Sequence, residues 1–253
     1  MTLDQLVERG KPATYGQEIL RRRARIVARF QDLTGKTVLD FGCGNGAQTI
    51  ELAEQGGMVT ACDIDDSDLS LLRKFLEAST NLTIFPILYD GIILPLPDDS
   101  FDVVVSFAVL EHVRDQEVAL DEMCRVLKND GVLLISVPNK WWIFETHGAR
   151  LPVLPWNRVP FFSWLPRAIH KRFANARIYR MVDIVRLLKA SGFDILDSAY
   201  MMAPMDVISW PVLQRILRAI IFRGDTTRIP FLATEIFLYC QKSPFPAGRE
   251  PRQ

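Results

Sequence analysis

The chain has 253 residues, of which 49% are hydrophobic and 24% charged, so it can bury one sizeable core and lies near the upper size limit of a single domain. Lys and Arg number 30, as do Asp and Glu, but the resulting net charge of zero hides an uneven distribution. Residues 32–130 carry 6 basic against 19 acidic side chains, whereas residues 147–230 carry 13 against 5.

The hydropathy pattern and the cysteines exclude several classes of protein. No stretch of about 18 uncharged apolar residues is present to span a bilayer. The segment MTLDQLVERG lacks the hydrophobic region of a secretory signal. The four cysteines show neither C-x-x-C spacing nor a His at metal-ligand spacing. We therefore expect a cytoplasmic protein with reduced thiols and no metal.

The first predicted element is an amphipathic helix over residues 17–30, whose arginines we expect in solvent. From Lys36 onward, short apolar runs alternate with helical stretches, which is typical of repeated βαβ units around a largely parallel sheet. Strands are predicted near 37–41, 58–62, 82–87, 102–107, 131–137, 193–200 and 234–240. Helices are predicted at 47–55, 67–78 with Ser67 as N-cap, 115–128 with Gly131 as a stop signal, 182–191 and 212–223.

The regular alternation stops at Pro138. The segment that follows holds four of the five Trp residues, and it is too apolar for a linker and too rich in Pro for one long helix. We predict a folded insertion of short helices that caps the sheet. The predicted organisation is one domain over 1–242, with a core of 35–138 and 182–242, a cap insertion of 139–181 and a loose tail of 243–253.

The segment VLDFGCGNG at 38–46 is the first motif with chemical meaning. It joins an apolar strand, an acidic residue near its end, Asp40, and a loop that contains Gly42, Gly44, Asn45 and Gly46. Glycines lack Cβ atoms, so the chain can turn tightly and a ligand can lie directly against the backbone. The motif therefore predicts a ligand site at the carboxyl edge of the sheet.

Two further segments extend this predicted site. The second strand ends in Asp63, where a carboxylate can accept hydrogen bonds from both hydroxyls of a ribose. The adjacent Ile64 offers an apolar face for an adenine. Asp90 and Gly91 follow the third strand, and LPLPDDSFDVVVSF then leads into the fourth strand, which ends at Phe107.

These segments resemble the class I S-adenosylmethionine-dependent methyltransferases, in particular the small-molecule methyltransferases, through VLDFGCGNG, ACDID and LPLPDDSFDVVVSFAVLEHV. The resemblance covers residues 35–138, and more weakly 182–200 and 234–240. It implies an α/β fold with a Rossmann-like, doubly wound, seven-stranded and mostly parallel sheet whose last strand is antiparallel. It implies S-adenosyl-L-methionine as cofactor, with the glycine loop along its methionine portion, Asp63 on the ribose, Ile64 against the adenine and Asp90 toward the adenine amino group. The predicted cofactor site comprises Asp40, Gly42, Gly44, Asn45, Gly46, Asp63, Ile64, Asp90, Gly91 and Phe107.

Two other functions stay open on the residues alone. Gly42, Gly44 and Ala47 also satisfy the G-x-G-x-x-A pattern of NAD-dependent oxidoreductases. Asp40, the approach to the fourth strand and a chain too short for a separate catalytic domain favour the methyl donor over NAD. A non-catalytic module that binds S-adenosylmethionine would retain the same motifs, because sequence does not prove turnover.

Methyl transfer from a sulfonium is an in-line displacement, so the protein mainly aligns the acceptor and excludes water. A hydroxyl acceptor also needs a base. His112 in LEHV, and His147 with Glu145 in PNKWWIFETH, are the candidate catalytic residues, since both segments follow strands at the carboxyl edge. A purely structural role is the alternative for each. His170, among basic residues, is expected on the surface.

The expected partner is a small-molecule, saccharide or lipid-linked acceptor that becomes O-methylated. Nucleic acid is not expected, because the fourth strand ends in SFAV and not in an acidic or Asn residue followed by Pro-Pro-aromatic. Residues 212–223 place six apolar side chains on one arc of a helix, with Arg215 and Arg218 on the other side. This pattern fits an interfacial helix, which would give peripheral membrane contact through 206–223. It equally fits a helix packed over the sheet with its arginines in water.

Overall fold

A largely parallel sheet with helices on both faces organises the chain in the computed structural model, which describes residues 17–78, 81–144, 160–206 and 208–244. The strands are β1 Thr37–Phe41, β2 Met58–Asp63, β3 Ile84–Leu88, β4 Phe101–Phe107, β5 Leu127–Pro138, β6 Phe193–Met202, β7 Thr226–Thr227 and β8 Ala233–Lys242. The helices are α1 Glu18–Phe30, α2 Ala47–Glu54, α3 Asp66–Glu77, α4 Gln116–Val126, α5 Arg167–Phe173, α6 Met181–Ala190 and α7 Pro211–Ile220.

The strand order is β3-β2-β1-β4-β5-β8-β6-β7. Strands β1 to β5 pair in parallel, and β8 inserts antiparallel between β5 and β6. This confirms the predicted doubly wound sheet with its last strand antiparallel. The sheet has eight strands because the two-residue β7 pairs with the end of β6. Two residues are too few to show an alternating pattern, so this edge strand was not predictable.

Alternate side chains of the strands feed two separate cores, as the period of two of a β-strand requires. Val38 contributes to the core under α1, α2 and α3, whereas Leu39 contributes to the core under α4 and α6. Both side chains are fully buried. The loops after β1, β2 and β4 meet at the carboxyl edge of the parallel strands, which is where ligands bind in open α/β sheets.

Two predicted helix signals were wrong. The N-cap of α3 is Asp65, whose Oδ1 accepts from the Ser67 backbone N–H at 2.9 Å, so Ser67 lies inside the helix. Gly131 does not end a helix but lies within β5, which begins directly after α4. A Cβ atom at Gly131 would lie 2.7 Å from the Leu127 side chain, so the close approach of the chain to itself requires glycine here.

The arginines of α1 do not all face solvent, contrary to the prediction. Arg22 is buried and donates to the backbone carbonyls of Met202, Ala203 and Phe222 at 2.7 to 2.9 Å. Arg23 is buried on the same helix. Residues of the C-terminal part of the chain therefore cover one side of α1, and long-range packing of this kind leaves no periodic signal in the helix itself.

The insertion after β5 is described in part. An isolated bridge pairs Phe144 with Pro160, a 3-10 turn spans Phe162–Trp164, and α5 follows. A second bridge, between Asn139 and Tyr179, returns the chain to the sheet. Among the described residues, no helix has both the length and the apolar composition needed to cross a membrane. The tail beyond residue 244 lies outside the described residues, and the predicted domain limits stay a prediction.

Candidate functional site

The glycine loop after β1 is packed too closely to accept larger residues. Gly42 and Gly46 have φ of 77° and 82°, in the left-handed region. A Cβ atom at Gly42 would lie 2.5 Å from Val109, and one at Gly46 would lie 2.5 Å from Leu72. The backbone N–H of Gly42 also donates to the Cys62 carbonyl of β2 at 2.8 Å. Packing and hydrogen bonding therefore hold the loop rigidly against the sheet.

Gly44 at the centre of the loop differs from its neighbours. It also has a positive φ, 52°, but a Cβ atom there would meet only one carboxylate oxygen of Asp68, at 3.9 Å. Its backbone N–H donates to Asp63 Oδ2 at 2.7 Å, and Asp63 Oδ1 accepts from the Asp65 N–H at 3.0 Å. The structure thus brings the predicted glycine loop and the predicted ribose carboxylate together. A carboxylate has about four acceptor positions, so Asp63 retains capacity for a ligand.

Ile64, Asp90 and Gly91 form the next wall of this site. The Ile64 side chain is 63% exposed, and its Cγ2 would lie 3.4 Å from a Cβ atom at Gly91. Asp90 Oδ1 accepts from the backbone N–H groups of Ile93 and Ile92 at 2.9 and 2.8 Å, and these bonds hold the pKa of Asp90 below its usual value. Asp90 is therefore a fixed carboxylate at the end of β3, as its predicted place required.

Asp40 and Asn45 lie inside the loop region and not at its surface. Asp40 is buried and accepts from the Thr49 hydroxyl at 2.6 Å. Burial raises the pKa of Asp40 to about 6. Asn45 is also buried, and its side-chain oxygen accepts from the Ala47 N–H at the start of α2 at 3.2 Å. Both side chains fix the loop from beneath, so their predicted cofactor contact stays a prediction.

The end of β4 carries the third part of the site. Phe107 is buried, and Ala108 directly after it has φ of 57°, which is unusual for a residue other than glycine. Glu111 is buried in the next turn, whereas the adjacent His112 side chain is largely exposed. Partial desolvation and the nearby Arg177 cation lower the pKa of His112 below its usual value. His112 is therefore mostly a neutral imidazole near pH 7, able to accept a proton.

Sequence analysis missed Arg177, which holds the turn that contains His112. Its Nη2 donates to the Arg114 carbonyl at 3.1 Å, and its Nη1 donates to the Val113 carbonyl. Its backbone N–H donates to the Glu111 carbonyl at 3.3 Å. A single arginine 65 residues beyond His112 has no local motif, because its role depends on the path of the insertion.

A buried ion pair beside Phe107 was also missed. Arg23 Nε donates to Glu235 Oε2 at 3.2 Å, and a second bond joins the same two side chains. The Arg23 guanidinium lies 5.5 Å from the centroid of the Phe107 ring. Glu235 pairs with Pro138 at the end of β5, so this pair lies at the carboxyl edge. A glutamate within the apolar run TEIFLYC was the signal that could have indicated it.

Gln48 is a further polar residue that the motif analysis passed over. It follows the loop in the first turn of α2, it is 8% exposed, and neither of its side-chain polar atoms has a hydrogen-bond partner among the described residues. A buried amide without partners is unfavourable by about 1 to 3 kcal/mol. Residues of this kind cluster at ligand sites, where a ligand supplies the missing bonds.

The remaining catalytic candidates have different outcomes. His147 and Glu145 lie outside the described residues, so their role stays a prediction. His170 is buried against Phe162, with a ring separation of 5.2 Å, so its expected surface location was wrong. The basic residues around it suggested solvent, but α5 turns this one side chain inward. Among the described residues, no group of three or more His, Cys, Asp or Glu side chains is arranged to hold a metal ion.

Comparison with known proteins agrees with this geometry. Residues 39–135, which contain the glycine loop, Asp63, Asp90 and His112, match the family model described as "Methyltransferase domain". A protein of Mycolicibacterium smegmatis named "Probable S-adenosylmethionine-dependent methyltransferase" is 32% identical over 65% of this chain and 54% of its own length. A "Ubiquinone biosynthesis O-methyltransferase" of Rhizobium etli is 26% identical over 65% of this chain and 62% of its own length. The chain thus spans about half to three fifths of these two relatives.

Solved structures share the fold along nearly the whole chain. A structure titled as a SAM-dependent methyltransferase from Aquifex aeolicus aligns with a TM-score of 0.61, covering 96% of this chain and 99% of its own. The two sequences are 14% identical, so this likeness supports the fold alone.

Proposed function

We propose that this protein, whose residues 39–135 match a methyltransferase domain, transfers a methyl group from S-adenosylmethionine to an oxygen of a small-molecule or lipid-linked acceptor. The observation that carries the proposal is the hydrogen bond from the Gly44 N–H to Asp63. It joins an open stretch of loop backbone to a carboxylate suited to ribose hydroxyls, which is the arrangement a nucleoside donor needs.

The residues at the carboxyl edge fit S-adenosylmethionine. Gly44 faces open space, so a ligand can approach the loop backbone there. Ile64 is an exposed apolar side chain beside Gly91, and an adenine ring would cover it. Asp90 would accept from the adenine amino group. The donor supplies an electrophilic methyl group on a sulfonium, and the protein's own part is to hold both molecules, exclude water and manage one proton.

Proton removal from the acceptor falls to a histidine at the carboxyl edge. His112 lies directly after β4, its lowered pKa keeps it neutral, and Arg177 fixes the turn that carries it. A neutral imidazole can accept the proton of an acceptor hydroxyl as the new carbon–oxygen bond forms. His147 with Glu145 is the second candidate for this step. The name of the Rhizobium etli relative, which acts in ubiquinone biosynthesis, supports an oxygen acceptor on a lipid-like molecule.

Calorimetric titration tests the donor site. We expect binding of S-adenosylmethionine and S-adenosylhomocysteine but not of NAD. Asp63→Ala should weaken donor binding roughly 10- to 150-fold, the equivalent of one charge-assisted hydrogen bond. Asp66→Ala is the matched control, because Asp66 is an exposed carboxylate paired only with Arg73 on the surface of α3. NAD binding with no response to S-adenosylmethionine would instead assign the chain to the oxidoreductases.

The acceptor class is tested by measuring the release of S-adenosylhomocysteine in the presence of catechols, hydroxylated prenylbenzenes and saccharides. His112→Ala and His147→Ala should separate the two candidate bases: loss of the base lowers kcat about 100-fold and leaves donor affinity unchanged. With His112 as base, kcat should fall as the pH drops through the His112 pKa, which lies below 6.5. His112→Ala should abolish this decrease of kcat at low pH. Donor binding without turnover on any acceptor would favour a non-catalytic module.

A further inference from the structure

Helix α7 is inverted relative to an ordinary surface helix. Its buried residue is Gln214, and Leu217 and Arg218 are partly buried beside it. Most of its apolar side chains point outward, in contrast to the usual amphipathic helix, whose apolar stripe faces the core. The prediction that Arg218 lies on a solvated side was therefore wrong, and so was the alternative of simple packing over the sheet.

The inward polar groups are fully used by the protein. Arg218 Nη2 donates to Asp206 Oδ1 at 2.6 Å, and its Nε donates to the Pro204 carbonyl at 2.8 Å. The Gln214 amide donates to the Met205 carbonyl at 3.1 Å. These contacts fix the rotation of α7 about its axis. The outward position of its apolar side chains is thus a consequence of specific bonds on the opposite side.

The outward face exposes large apolar side chains in a row. Trp210 is 72% exposed, Val212 61%, Ile216 49% and Ile220 74%. The positions 212, 216 and 220 are four residues apart, so their side chains line one stripe of the helix. A stripe of this kind beside a polar border marks an interaction surface.

The charge around this stripe is positive. Arg215, Arg223 and Arg228 are exposed on or just after α7. The only acidic residue between 208 and 232 is Asp225, which is neutralised by two bonds from Arg25 at 2.6 and 3.0 Å. The stripe therefore has cations at its border and no unpaired anion of its own segment.

The helix also shares a small core with the insertion that follows β5. Leu217 and Phe222 pack in the same apolar cluster as Trp142, and the rings of Trp142 and Phe222 are 6.2 Å apart. From the insertion, Trp164 contacts Phe231 at 5.6 Å, and both are at least 40% exposed. The exposed stripe and the exposed aromatic residues thus belong to one side structure appended to the sheet.

We propose that the outer stripe of α7, residues 212, 216 and 220, together with Trp210 just before the helix, docks this protein on the surface of an anionic lipid bilayer. An apolar stripe with an aromatic residue at one end and arginines at its border matches the acyl boundary and the phosphate headgroups of such a membrane. A second copy of the chain would bring the same arginines against each other, which the positive border opposes. The inference goes beyond the proposed methyl transfer, because docking needs no acceptor.

Sedimentation with vesicles tests the proposal. We expect binding to phosphatidylcholine vesicles that contain phosphatidylglycerol, weaker binding to phosphatidylcholine alone, and a decrease with salt. The double variant Ile216→Ser, Ile220→Ser should lower the partition coefficient at least tenfold, because two apolar side chains no longer insert into the bilayer. Arg215→Gln should lower it about fivefold, and only on anionic vesicles. Trp210 fluorescence should be quenched by brominated lipid, and Trp210→Phe should remove that component.

Val182→Ser with Leu196→Ser is the matched control, because both residues are about half exposed and belong to other elements, α6 and β6. This variant should bind as the wild type does. If the double substitution on α7 alters the melting temperature, Ile220→Ser alone, at the most exposed position, decides the result. No vesicle binding at low salt, or unchanged binding of the α7 variants, overturns the proposal. The proposal is also overturned if the wild type is a dimer that the α7 substitutions dissociate, and neither wild type nor variants bind vesicles. Failure here leaves donor titration and methyl transfer unaffected.

Discussion

At the glycine loop, neighbouring side chains pack so closely that they leave room only for glycine. On α7, in contrast, the apolar side chains of the outer stripe are exposed and have no cover among the described residues. Gly42 and Gly46 adopt left-handed backbone under the side chains of Val109 and Leu72. The stripe at Val212, Ile216 and Ile220 faces outward. The first region is complete without a macromolecular partner and leaves open only the place of a small ligand. The second is the proposed docking surface for a lipid bilayer. Substitutions in the two regions should therefore affect different properties.

The largest effect is expected at Gly42. Gly42→Ala combines a left-handed backbone with a Cβ atom 2.5 Å from Val109, and should lower the free energy of unfolding by about 2 to 5 kcal/mol. Adding Val109→Ala removes the methyl groups at 2.5 and 2.6 Å and leaves only the Cβ atom of residue 109, at 3.1 Å. The loss relative to the Val109→Ala parent should then be about 1 to 2 kcal/mol. Urea denaturation of the four proteins measures this cycle. If Gly42→Ala lowers the free energy of unfolding equally in the wild type and in the Val109→Ala parent, the packing argument is contradicted.

A smaller, pH-dependent effect is expected at Asp40. Its folded-state pKa of about 6 exceeds the unfolded value of 3.8, so the folded state binds the proton more tightly. The stability that this group contributes is therefore present below the unfolded value and is lost as the pH rises to about 6. Asp40→Asn keeps an acceptor for Thr49 and removes this loss. The variant should gain stability relative to the wild type between pH 4 and pH 7.5, by on the order of 3 kcal/mol. A difference in unfolding free energy between variant and wild type that does not change with pH would contradict the raised pKa of Asp40.

The smallest effect sharpens the contrast on α7. Arg218→Gln leaves the buried Asp206 without its cation and should lower the free energy of unfolding by roughly 2 kcal/mol. Arg215→Gln alters an exposed side chain and should stay within about 0.5 kcal/mol of the wild type. Thermal or urea unfolding distinguishes the two arginines, which the sequence pattern alone treats as equivalent. Equal losses at both positions would argue against the inverted orientation of α7.

Local patterns predicted most of the sheet and the place where the glycine loop meets Asp63. The strands near 37–41, 58–62 and 102–107 were predicted to within one residue, because fully buried parallel strands are short apolar runs between helices. The meeting of the glycine loop with Asp63 was predictable because both follow neighbouring parallel strands of one βαβ unit, and their roles toward a donor stay a prediction. The hydrogen bond between Gly44 and Asp63 is the geometric expression of that motif.

The features that sequence did not predict depend on contacts between distant segments. Arg23 with Glu235, and Arg177 with the turn at His112, join residues 212 and about 65 positions apart. The rotation of α7 was misjudged for the same reason, since Arg218 is held by Asp206 and not by its helix neighbours. Gly131 shows a related limit: its position after a helix suggested a cap, but the absence of a Cβ atom serves the bend within β5.

The place of β8 in the sheet has a consequence for how the protein is made. Residues 233–242 insert between β5 and β6, so β5, the last of the parallel strands in the sheet, keeps an open edge until this segment has left the ribosome. Until residues 233–242 have been made, the preceding strands can collapse but cannot complete the sheet, and its completion is a strand addition of long sequence separation. A nascent chain halted before residue 233 should remain sensitive to protease and prone to aggregate, whereas one extended past 242 and clear of the exit tunnel should become resistant.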